Sequence, residues 1–145
     1  MLEIYSGALP VEEILSRWYR SNRTKNYGAY ITFTGTVRDE NGIDGLSFDL
    51  YRPLLESWLN SWNSIAEQKG AVIALAHSQG DVPLFTSSYV TAVWSPKRRV
   101  ALDLIDPFVE DFKAKAPIWK YDLIGGKRVF AADRAYKLDG SGLLS

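Results

Sequence analysis

A helical pattern that stops at a proline constrains the fold of this chain more than any other feature. Between residues 101 and 112 the apolar side chains recur at spacings of three and four, which places them on one face of an α-helix. Pro117 disfavours helical geometry in the residue before it, so the helix is predicted to end there. The pattern therefore predicts a long amphipathic helix followed directly by an extended segment, residues 118–121.

Two lysines flank this predicted helix end. Lys113 falls in the last helical turn, and Lys120 follows seven residues later on the extended segment. Strand alternation puts Lys120 on the same face as the apolar Ile118, a setting that partly buries an amine. However, cations also complement the C-terminal end of a helix dipole, and lysine stems commonly lie along apolar surface. The spacing alone leaves both a catalytic and a structural interpretation open.

The rest of the chain predicts one α+β domain over residues 1–145, with helices packed on a mostly antiparallel sheet and a C-terminal β-hairpin. Helical spacing also occurs in residues 11–19 and 54–66, and strand patterns occur in residues 2–5, 28–38, 46–51, 71–76 and 87–94. The strands on either side of the Asn41-Gly42 turn signal are predicted to pair with each other. Pro107 predicts a kink or break in the long helix near residues 103–106.

Composition excludes several classes of function. Seventeen basic and seventeen acidic residues cancel, which removes the overall positive field expected of a nucleic-acid-binding protein. The chain has no cysteine, so it can form neither a disulfide nor a thiolate metal site nor a persulfide. No signal sequence or apolar run of membrane length is present, so we expect a cytoplasmic protein without a membrane partner. Any anion site must be local, and any sulfur must come from another molecule.

Three cations at the start of the long helix point to an anion. Lys97, Arg98 and Arg99 lie in its first turn. Cations there oppose the helix dipole by about 0.3–1 kcal/mol each, so they are poor stabilisers. Exposed N–H groups at a helix start bind phosphate, and neighbouring guanidinium and ammonium groups strengthen such a site. The alternative is a solvated basic patch tolerated at small cost.

Gly35 interrupts a β-rich segment, which indicates a bulge or a close approach of a ligand to the backbone. Arg38 follows within reach of such a site, although a bent edge strand with a solvated arginine would give the same pattern. His77 is the only histidine and has no partner for a metal site or a nucleophile triad. We therefore interpret His77 as a structural residue.

Two segments of the chain resemble the large, catalytic subunit of molybdopterin synthase. They are the run from Lys113 to Lys120, Lys-Ala-Lys-Ala-Pro-Ile-Trp-Lys, and the run from Phe33 to Arg38, Phe-Thr-Gly-Thr-Val-Arg. A His-x-x-Gly segment begins at His77, but the Gly-Glu or Gly-Asp that usually follows in the family is replaced by residues 82–86. The resemblance extends from about residue 28 to residue 122.

The chain departs from this family at three further positions. Lys97 stands where the family has a histidine, while Arg98 matches the family's arginine, so phosphate binding carries over but proton transfer by a histidine does not. Tyr121 replaces a basic residue, and Asp122 keeps the acidic character of the family's glutamate.

The resemblance implies sulfur transfer to cyclic pyranopterin monophosphate, which makes molybdopterin without a metal or a cofactor in this chain. The sulfur donor would be a small ubiquitin-like subunit with a C-terminal Gly-Gly thiocarboxylate. Two copies of this chain would form the centre of a heterotetramer. The glycine-rich tail from Leu138 would be mobile or docked on a partner chain.

The resemblance also assigns the site. Lys113 and Lys120 would be catalytic. The substrate-binding residues would be Thr36, Val37, Arg38, Lys97, Arg98, Lys113, Lys120, Tyr121 and Asp122. We expect Lys113 to transfer a proton at the thiocarboxylate carbonyl, with Arg98 and Lys120 close enough to favour loss of its proton, and Lys120 to bind the pterin electrostatically.

Two functions of other classes remain open. A noncatalytic module that binds a phosphorylated metabolite would need the cations at the helix start but not two converging lysines. A docking protein for a ubiquitin-like partner would need only apolar surface and the tail. Binding of phosphate-containing ligands without turnover would favour the metabolite-binding module. Binding of the partner whether or not it ends in Gly-Gly would favour the docking protein.

Overall fold

The structure, a computed structural model, describes residues 1–131 and the short strand Leu143–Leu144. The helices are α1 (Val11–Asn22), α2 (Arg52–Glu67) and α3 (Arg98–Lys115). The strands are β1 (Leu2–Ser6), β2 (Ala29–Thr36), β3 (Gly45–Leu50), β4 (Val72–Pro83), β5 (Ser87–Ser95), β6 (Ile118–Ile124), β7 (Lys127–Phe130) and β8 (Leu143–Leu144). The remainder of the predicted C-terminal tail lies outside the described residues.

The strands form one sheet in the order β2-β5-β4-β3-β6-β7, and every neighbouring pair along this path is antiparallel. Two further strands pair in parallel, β1 with β4 and β8 with β6. The predicted α+β fold, with helices on a mostly antiparallel sheet, is confirmed. The C-terminal hairpin is β6–β7, where Gly125 and Gly126 both have positive φ, as a type I′ turn requires.

The predicted pairing of the strands around Asn41-Gly42 is wrong. Among the described strands, β2 pairs only with β5, while β3 lies between β4 and β6. The long strand β4 separates them, because its first half pairs with β5 and its second half with β3. A turn signal predicts local reversal of the chain, whereas the choice of partner strand depends on contacts distant in sequence.

The core lies on both faces of β4, as predicted for a central strand. Ile73 and Leu75 point into the cluster formed with α2 and α3, while Ala74 and Ala76 face the cluster around Trp18 of α1. Full burial of a side chain such as Leu75 stabilises a protein by about 1.5–3 kcal/mol. This strand therefore fixes all three helices relative to the sheet.

Of the kink or break that Pro107 predicts, the break does not occur, because α3 runs without interruption from Arg98 to Lys115. An internal proline costs about 3 kcal/mol because it removes one hydrogen bond and crowds the preceding turn. Leu104 and Phe108 on either side of it are buried, and Phe108 packs against the rings of Trp58 and Trp62 of α2. Tertiary packing therefore holds the helix together across the proline.

Hydrogen bonds to the carboxylate of Glu3 connect strand β1 to helix α1. This carboxylate accepts hydrogen bonds from both terminal nitrogens of Arg17, at 2.7 and 2.8 Å, from Trp18 Nε1 at 2.7 Å and from the Tyr5 hydroxyl at 2.7 Å. These donors, Arg17 first, lower the pKa of Glu3 to about 2. The carboxylate is therefore charged at neutral pH and ties the first strand to the first helix.

Candidate functional site

An aromatic cluster lies beneath the C-terminal end of α3. The ring of Phe112 has its centroid 4.2 Å from that of Tyr89 on β5 and 5.5 Å from that of His77 on β4. The ring of His77 lies 4.9 Å from that of Phe48 on β3. Four elements thus meet at this point of the fold, and we call these four side chains the aromatic cluster.

Each of the two predicted catalytic lysines is a neighbour of one member of the aromatic cluster, Lys113 along the chain and Lys120 across a strand pair. Lys113 directly follows Phe112 in α3 and is exposed. Lys120 on β6 is the Cα partner of Phe48 on β3, and directly opposed residues of an antiparallel pair project to the same sheet face. Because Phe48 is buried in the core, Lys120 also faces the α3 side of the sheet, where it is partly buried. One lysine approaches from the helix and the other from the sheet.

Of the two residues after Lys120, only one shares its face. Asp122 lies two positions along β6 and is buried, with 9% of its surface exposed. Tyr121 projects from the opposite face, where its ring lies 5.7 Å from that of Phe130 and 4.0 Å from the guanidinium carbon of Arg128. The structure therefore brings Lys120 and Asp122 together, and it does not bring Tyr121 to them.

The segment containing Arg38 lies at the same end of the molecule. The register of β2 and β5 changes between Gly35 and Thr36, where the sequence predicted a bulge. Gly35 lies opposite Tyr89, a member of the aromatic cluster. Val37 is buried, and its backbone hydrogen-bonds to the β4–β5 turn. Arg38 is therefore presented from a firmly held strand end.

The side chain of Arg38 is itself exposed. It forms a 2.8 Å ion pair with Glu40, and 76% of its side-chain surface is open to solvent. An exposed ion pair of this kind contributes about 0–1 kcal/mol, so it leaves the guanidinium able to exchange Glu40 for another anion.

The cations at the helix start lie far from Lys113. Lys97 directly precedes α3, Arg98 is its first residue, and both side chains are exposed. Lys113 lies fifteen positions after Arg98 in one continuous helix. At 1.5 Å per residue this step is about 22 Å along the helix axis. The expectation that Arg98 lies beside Lys113 is therefore wrong within one chain. A single small phosphate ester cannot contact both groups of the same copy.

Comparison with known proteins decides the family. The model of the MoaE protein family matches residues 6–115, most of the chain. The chain belongs to the MoaE family. The match includes Arg38, the helix-start cations and Lys113, and it ends before Lys120.

Two curated relatives of this MoaE chain align along its whole length. It is 46% identical over 145 residues to the molybdopterin synthase catalytic subunit of Helicobacter pylori strain 26695, and 39% identical to that of Helicobacter pylori strain J99. Each alignment covers 100% of both proteins. It is also 34% identical to the human molybdopterin synthase catalytic subunit, over 66% of this chain and 54% of the human one.

Solved structures agree with the fold. A complex of subunits 1 and 2 of the molybdopterin-converting factor from Helicobacter pylori contains a chain that superposes on this one with a TM-score of 0.92 at 46% identity, covering 99% of both chains. Molybdopterin synthase from Staphylococcus aureus superposes with a TM-score of 0.75 at 24% identity, covering 88% of this chain and 94% of that one. The latter likeness shows the fold alone.

His77 is buried inside this MoaE chain. Its Nδ1 lies 2.7 Å from the carbonyl oxygen of Ser78, so Nδ1 carries the proton and donates it. Burial lowers the pKa of His77 to about 4, which keeps the imidazole neutral at pH 7. A neutral ring packed between Phe48 and Phe112 supports α3, which carries Lys113, and β3, which pairs with the strand that carries Lys120.

Tyr89 is a member of the aromatic cluster that the sequence pattern does not single out. Its side chain is buried, and burial raises the pKa of its hydroxyl, which has no hydrogen-bond partner in the described part of the protein. The sequence of β5 predicts an ordinary strand. It does not show which helix packs against that strand. Its contact with Phe112 joins positions 23 residues apart, so only the folded arrangement reveals it.

Within the described ranges, no three acidic, histidine or cysteine side chains come together as a metal site would require. None of the described helices is both long and apolar enough to cross a membrane. The candidate site of this MoaE protein is thus built from lysines, an arginine and a carboxylate beside an aromatic cluster.

Proposed function

We propose that this MoaE protein is the catalytic subunit of a molybdopterin synthase. It transfers sulfur from the thiocarboxylated C-terminus of a small ubiquitin-like subunit to cyclic pyranopterin monophosphate and so makes molybdopterin. The observation that carries this proposal is the full-length 46% identity to a molybdopterin synthase catalytic subunit. The placement of Lys113 and Lys120 at one aromatic cluster supports it, because a sulfur-transfer site without cysteine needs other groups to handle charge and protons.

The charges of the site fit both substrates. A thiocarboxylate and a phosphate ester are both anions, and Arg38, Lys113 and Lys120 supply cationic donors around the end of α3. Lys120 is partly buried, and electrostatic interactions are stronger where water is excluded. Lys120 therefore holds negative charge, while the exposed Lys113 reaches the incoming tail of the small subunit.

The reaction moves sulfur from an acyl carbon to carbon atoms of the pterin. Each transfer forms one carbon–sulfur bond and breaks another, and water supplies the oxygen that restores the carboxylate on the small subunit. Protons must move at the acyl carbonyl during these steps, and an amine can give and take them. We assign this role to Lys113 because it can swing at the end of a helix, and the electrostatic role to Lys120 because a strand fixes its position.

We also propose the assembly and its location. The related chain from Helicobacter pylori is found in a complex of subunits 1 and 2, and we infer that this chain binds an equivalent small subunit. Two copies of this chain form the centre of a heterotetramer, with one small subunit at each far end. The protein works in the cytoplasm.

Reconstitution tests the proposal. The purified chain is mixed with a thiocarboxylated small subunit and cyclic pyranopterin monophosphate, and molybdopterin is measured. The same small subunit with an ordinary carboxylate is the matched control and should give no product. Binding of the pterin without turnover would instead indicate a metabolite-binding module, and binding of a small subunit lacking Gly-Gly with unchanged affinity would indicate a docking protein.

A further inference from the structure

The turn between β4 and β5, which lies in the segment that departs from the family pattern, holds a phenylalanine in an unfavourable backbone conformation. The turn is closed by a 3.4 Å hydrogen bond from Thr86 N to the carbonyl oxygen of Pro83. Of its two central residues, only the second, Phe85, has a positive φ, 66°, which is the pattern of a type II turn. Glycine or asparagine normally occupies this position, because most side chains are strained at positive φ.

The described part of the chain does not offset this strain by burial. Phe85 leaves 75% of its surface exposed, more than any other large apolar residue described. The burial that normally makes a phenylalanine stabilising is therefore largely missing. The other non-glycine residues described with positive φ are Asn26 and Asn41, and asparagine tolerates this conformation. Strained residues that persist in a fold concentrate at functional sites, so Phe85 is a candidate for a contact outside this chain.

The turn is held firmly and displays the ring at a fixed place. Phe85 N donates to the carbonyl oxygen of Val37 at 2.8 Å, and Val37 N donates to that of Thr86 at 2.9 Å. The hydroxyl of Thr86 donates to the carbonyl oxygen of Pro83 at 2.7 Å, and Leu84 packs against the core. A partner that binds a preorganised residue loses less conformational entropy than one that must order a flexible loop.

An exposed guanidinium lies next to this turn. Arg38 directly follows Val37, whose backbone is hydrogen-bonded to Phe85 and Thr86. The ion pair of Arg38 with Glu40 is exposed and therefore exchangeable for another anion. Aromatic side chains and arginine are the residue types that contribute most to protein interfaces. This pair fits a protein partner with an apolar surface and an anionic chain end.

We propose that Phe85 is a docking residue for the small subunit, which covers the ring when its C-terminal tail reaches Arg38. The identity of this partner rests on the proposed function, in which that tail ends in a Gly-Gly thiocarboxylate. The anion of the tail replaces Glu40 at Arg38, and apolar side chains of the small subunit pack on Phe85. Burial of the ring in the complex then offsets the strain of the turn.

The pterin fits this position less well than the small subunit does. Small ligands bind where protein encloses most of their surface, and the partly buried Lys120 offers such a setting. A ring that is 75% exposed at a turn gives a small ligand contact on one side only. A protein partner can cover the same ring and exclude water around it.

Titration with the small subunit tests the contact. The form with an ordinary carboxylate is used, so that no sulfur is transferred. Phe85→Gly and Phe85→Asn both suit the turn and lack the ring, so each should raise the dissociation constant about tenfold. Phe85→Tyr keeps the ring and should bind like wild type. Unchanged affinity in Phe85→Gly and Phe85→Asn would overturn the proposal, as would a loss in Phe85→Gly alone, which would indicate a loosened turn.

Leu54→Ala is the matched control for the titration. Leu54 is 52% exposed in the first turn of α2. That turn follows the end of β3 opposite to Gly45, the residue that pairs with Pro83. Loss of this exposed apolar side chain should leave the dissociation constant of the small subunit unchanged. An equal loss of affinity in Leu54→Ala and Phe85→Gly would overturn the proposal, because it would show no special role for the turn.

Thermal unfolding of the free chain tests the strain with the same variants. Phe85→Gly and Phe85→Asn relieve the positive φ and give up little burial, so the unfolding midpoint should rise by about 2–4 °C. A variant that is more stable yet binds the small subunit more weakly cannot owe its weaker binding to a damaged fold. A lower midpoint in both variants would refute the strain and overturn the proposal.

Photocrosslinking identifies the molecule that covers the ring. The chain has no cysteine, so Phe85→Cys can be labelled at one position with a benzophenone maleimide. Illumination of the complex should join the label to the small subunit, whereas a label on Leu54→Cys should not crosslink to it. Crosslinks only to a second copy of this chain would overturn the proposal. Weaker pterin binding by Phe85→Gly with unchanged affinity for the small subunit would overturn it as well, by making Phe85 a substrate contact.

The two proposals fail in different ways. A wild-type chain that makes molybdopterin, with Phe85 variants that bind the small subunit equally well, would refute the docking role of Phe85 only. A wild-type chain that binds no small subunit and makes no molybdopterin on reconstitution would refute the proposed function.

Discussion

Lys120 lies directly opposite Phe48 in the antiparallel pair of β6 and β3. Because opposed residues project to the same face, the lysine emerges beside a core aromatic ring and not on the outer surface of the sheet. Lys113 directly follows Phe112, another member of the same aromatic cluster, in the last turn of α3. The two lysines thus differ in setting, one fixed and partly buried, the other exposed at a helix end.

This difference predicts different responses to the same substitution. Lys113→Arg should lose nearly all sulfur transfer, since arginine stays protonated and cannot exchange a proton. Lys120→Arg should keep a measurable fraction, since a fixed positive charge remains. Single-turnover sulfur transfer measures both, with binding of the small subunit and of the pterin checked separately. Full activity of Lys113→Arg would end its assignment to proton transfer.

At the helix start, Arg98→Ala should weaken binding of the pterin phosphate more than Lys97→Ala. A planar guanidinium holds a phosphate with two hydrogen bonds, whereas an ammonium acts as a point charge. Titration of the assembled protein with the pterin gives the two dissociation constants. A difference of about tenfold corresponds to about 1.4 kcal/mol. Equal dissociation constants would remove the special role of Arg98.

The Glu3–Arg17 pair predicts a stability difference that depends on pH. The pKa of Glu3 falls from its usual value near 4.5 to about 2 in the folded protein, so the charged carboxylate stabilises the fold above pH 4.5. That contribution is lost as the pH falls towards 2. Glu3→Gln should lower the free energy of unfolding at pH 7 by about 1–2 kcal/mol, after allowing for solvent screening at the partly exposed Arg17.

Urea denaturation at several pH values measures this effect. Glu110→Gln, an exposed position on α3, is the control and should change stability by less than about 0.5 kcal/mol. The difference between wild type and Glu3→Gln should shrink between pH 4.5 and pH 2. A difference that stays constant over this range would show that the carboxylate charge contributes nothing.

His77 predicts a separate acid transition. Its pKa is about 4 in the folded protein and near 6.5 when unfolded, so between these values the unfolded chain binds more protons. Stability should therefore fall as the pH is lowered from 6.5 to 4, by about 2–3 kcal/mol. His77→Asn keeps a donor near the position of Nδ1 and does not titrate. Its free energy of unfolding should be nearly flat from pH 6.5 down to about 5, above the range in which Glu3 titrates. A slope equal to that of wild type would contradict the assignment to His77.

Local sequence patterns predict the elements well. The spacing of apolar residues predicts all three helices, and alternation predicts the faces of β6, including the separation of Lys120 from Tyr121. Both depend on the geometry of a single segment, where neighbours in sequence are neighbours in space. The exception is Pro107, whose local cost is overcome by the packing of Leu104 and Phe108.

Strand partners and distances within the site could not be predicted in this way. The partner of β2 is β5 and not β3, because β4 is long enough to pair with one strand at each end. Likewise, the same helical pattern contains the cations at the start of α3 and the lysine near its end. The rise of the helix nevertheless separates Arg98 from Lys113 by about 22 Å.

The sequence by itself determined the elements, the α+β class and the chemistry of the candidate residues, since composition and periodicity are properties of short segments. Only the tertiary structure decided which of these residues meet. It placed Lys120 and Asp122 on one face of β6, put Lys113 next to Phe112 of the aromatic cluster, and left Arg98 at the opposite end of α3. The physical reason is that the free energy gained by burying the core depends on all of its segments together. The sequence of one segment therefore does not determine which distant segment it contacts.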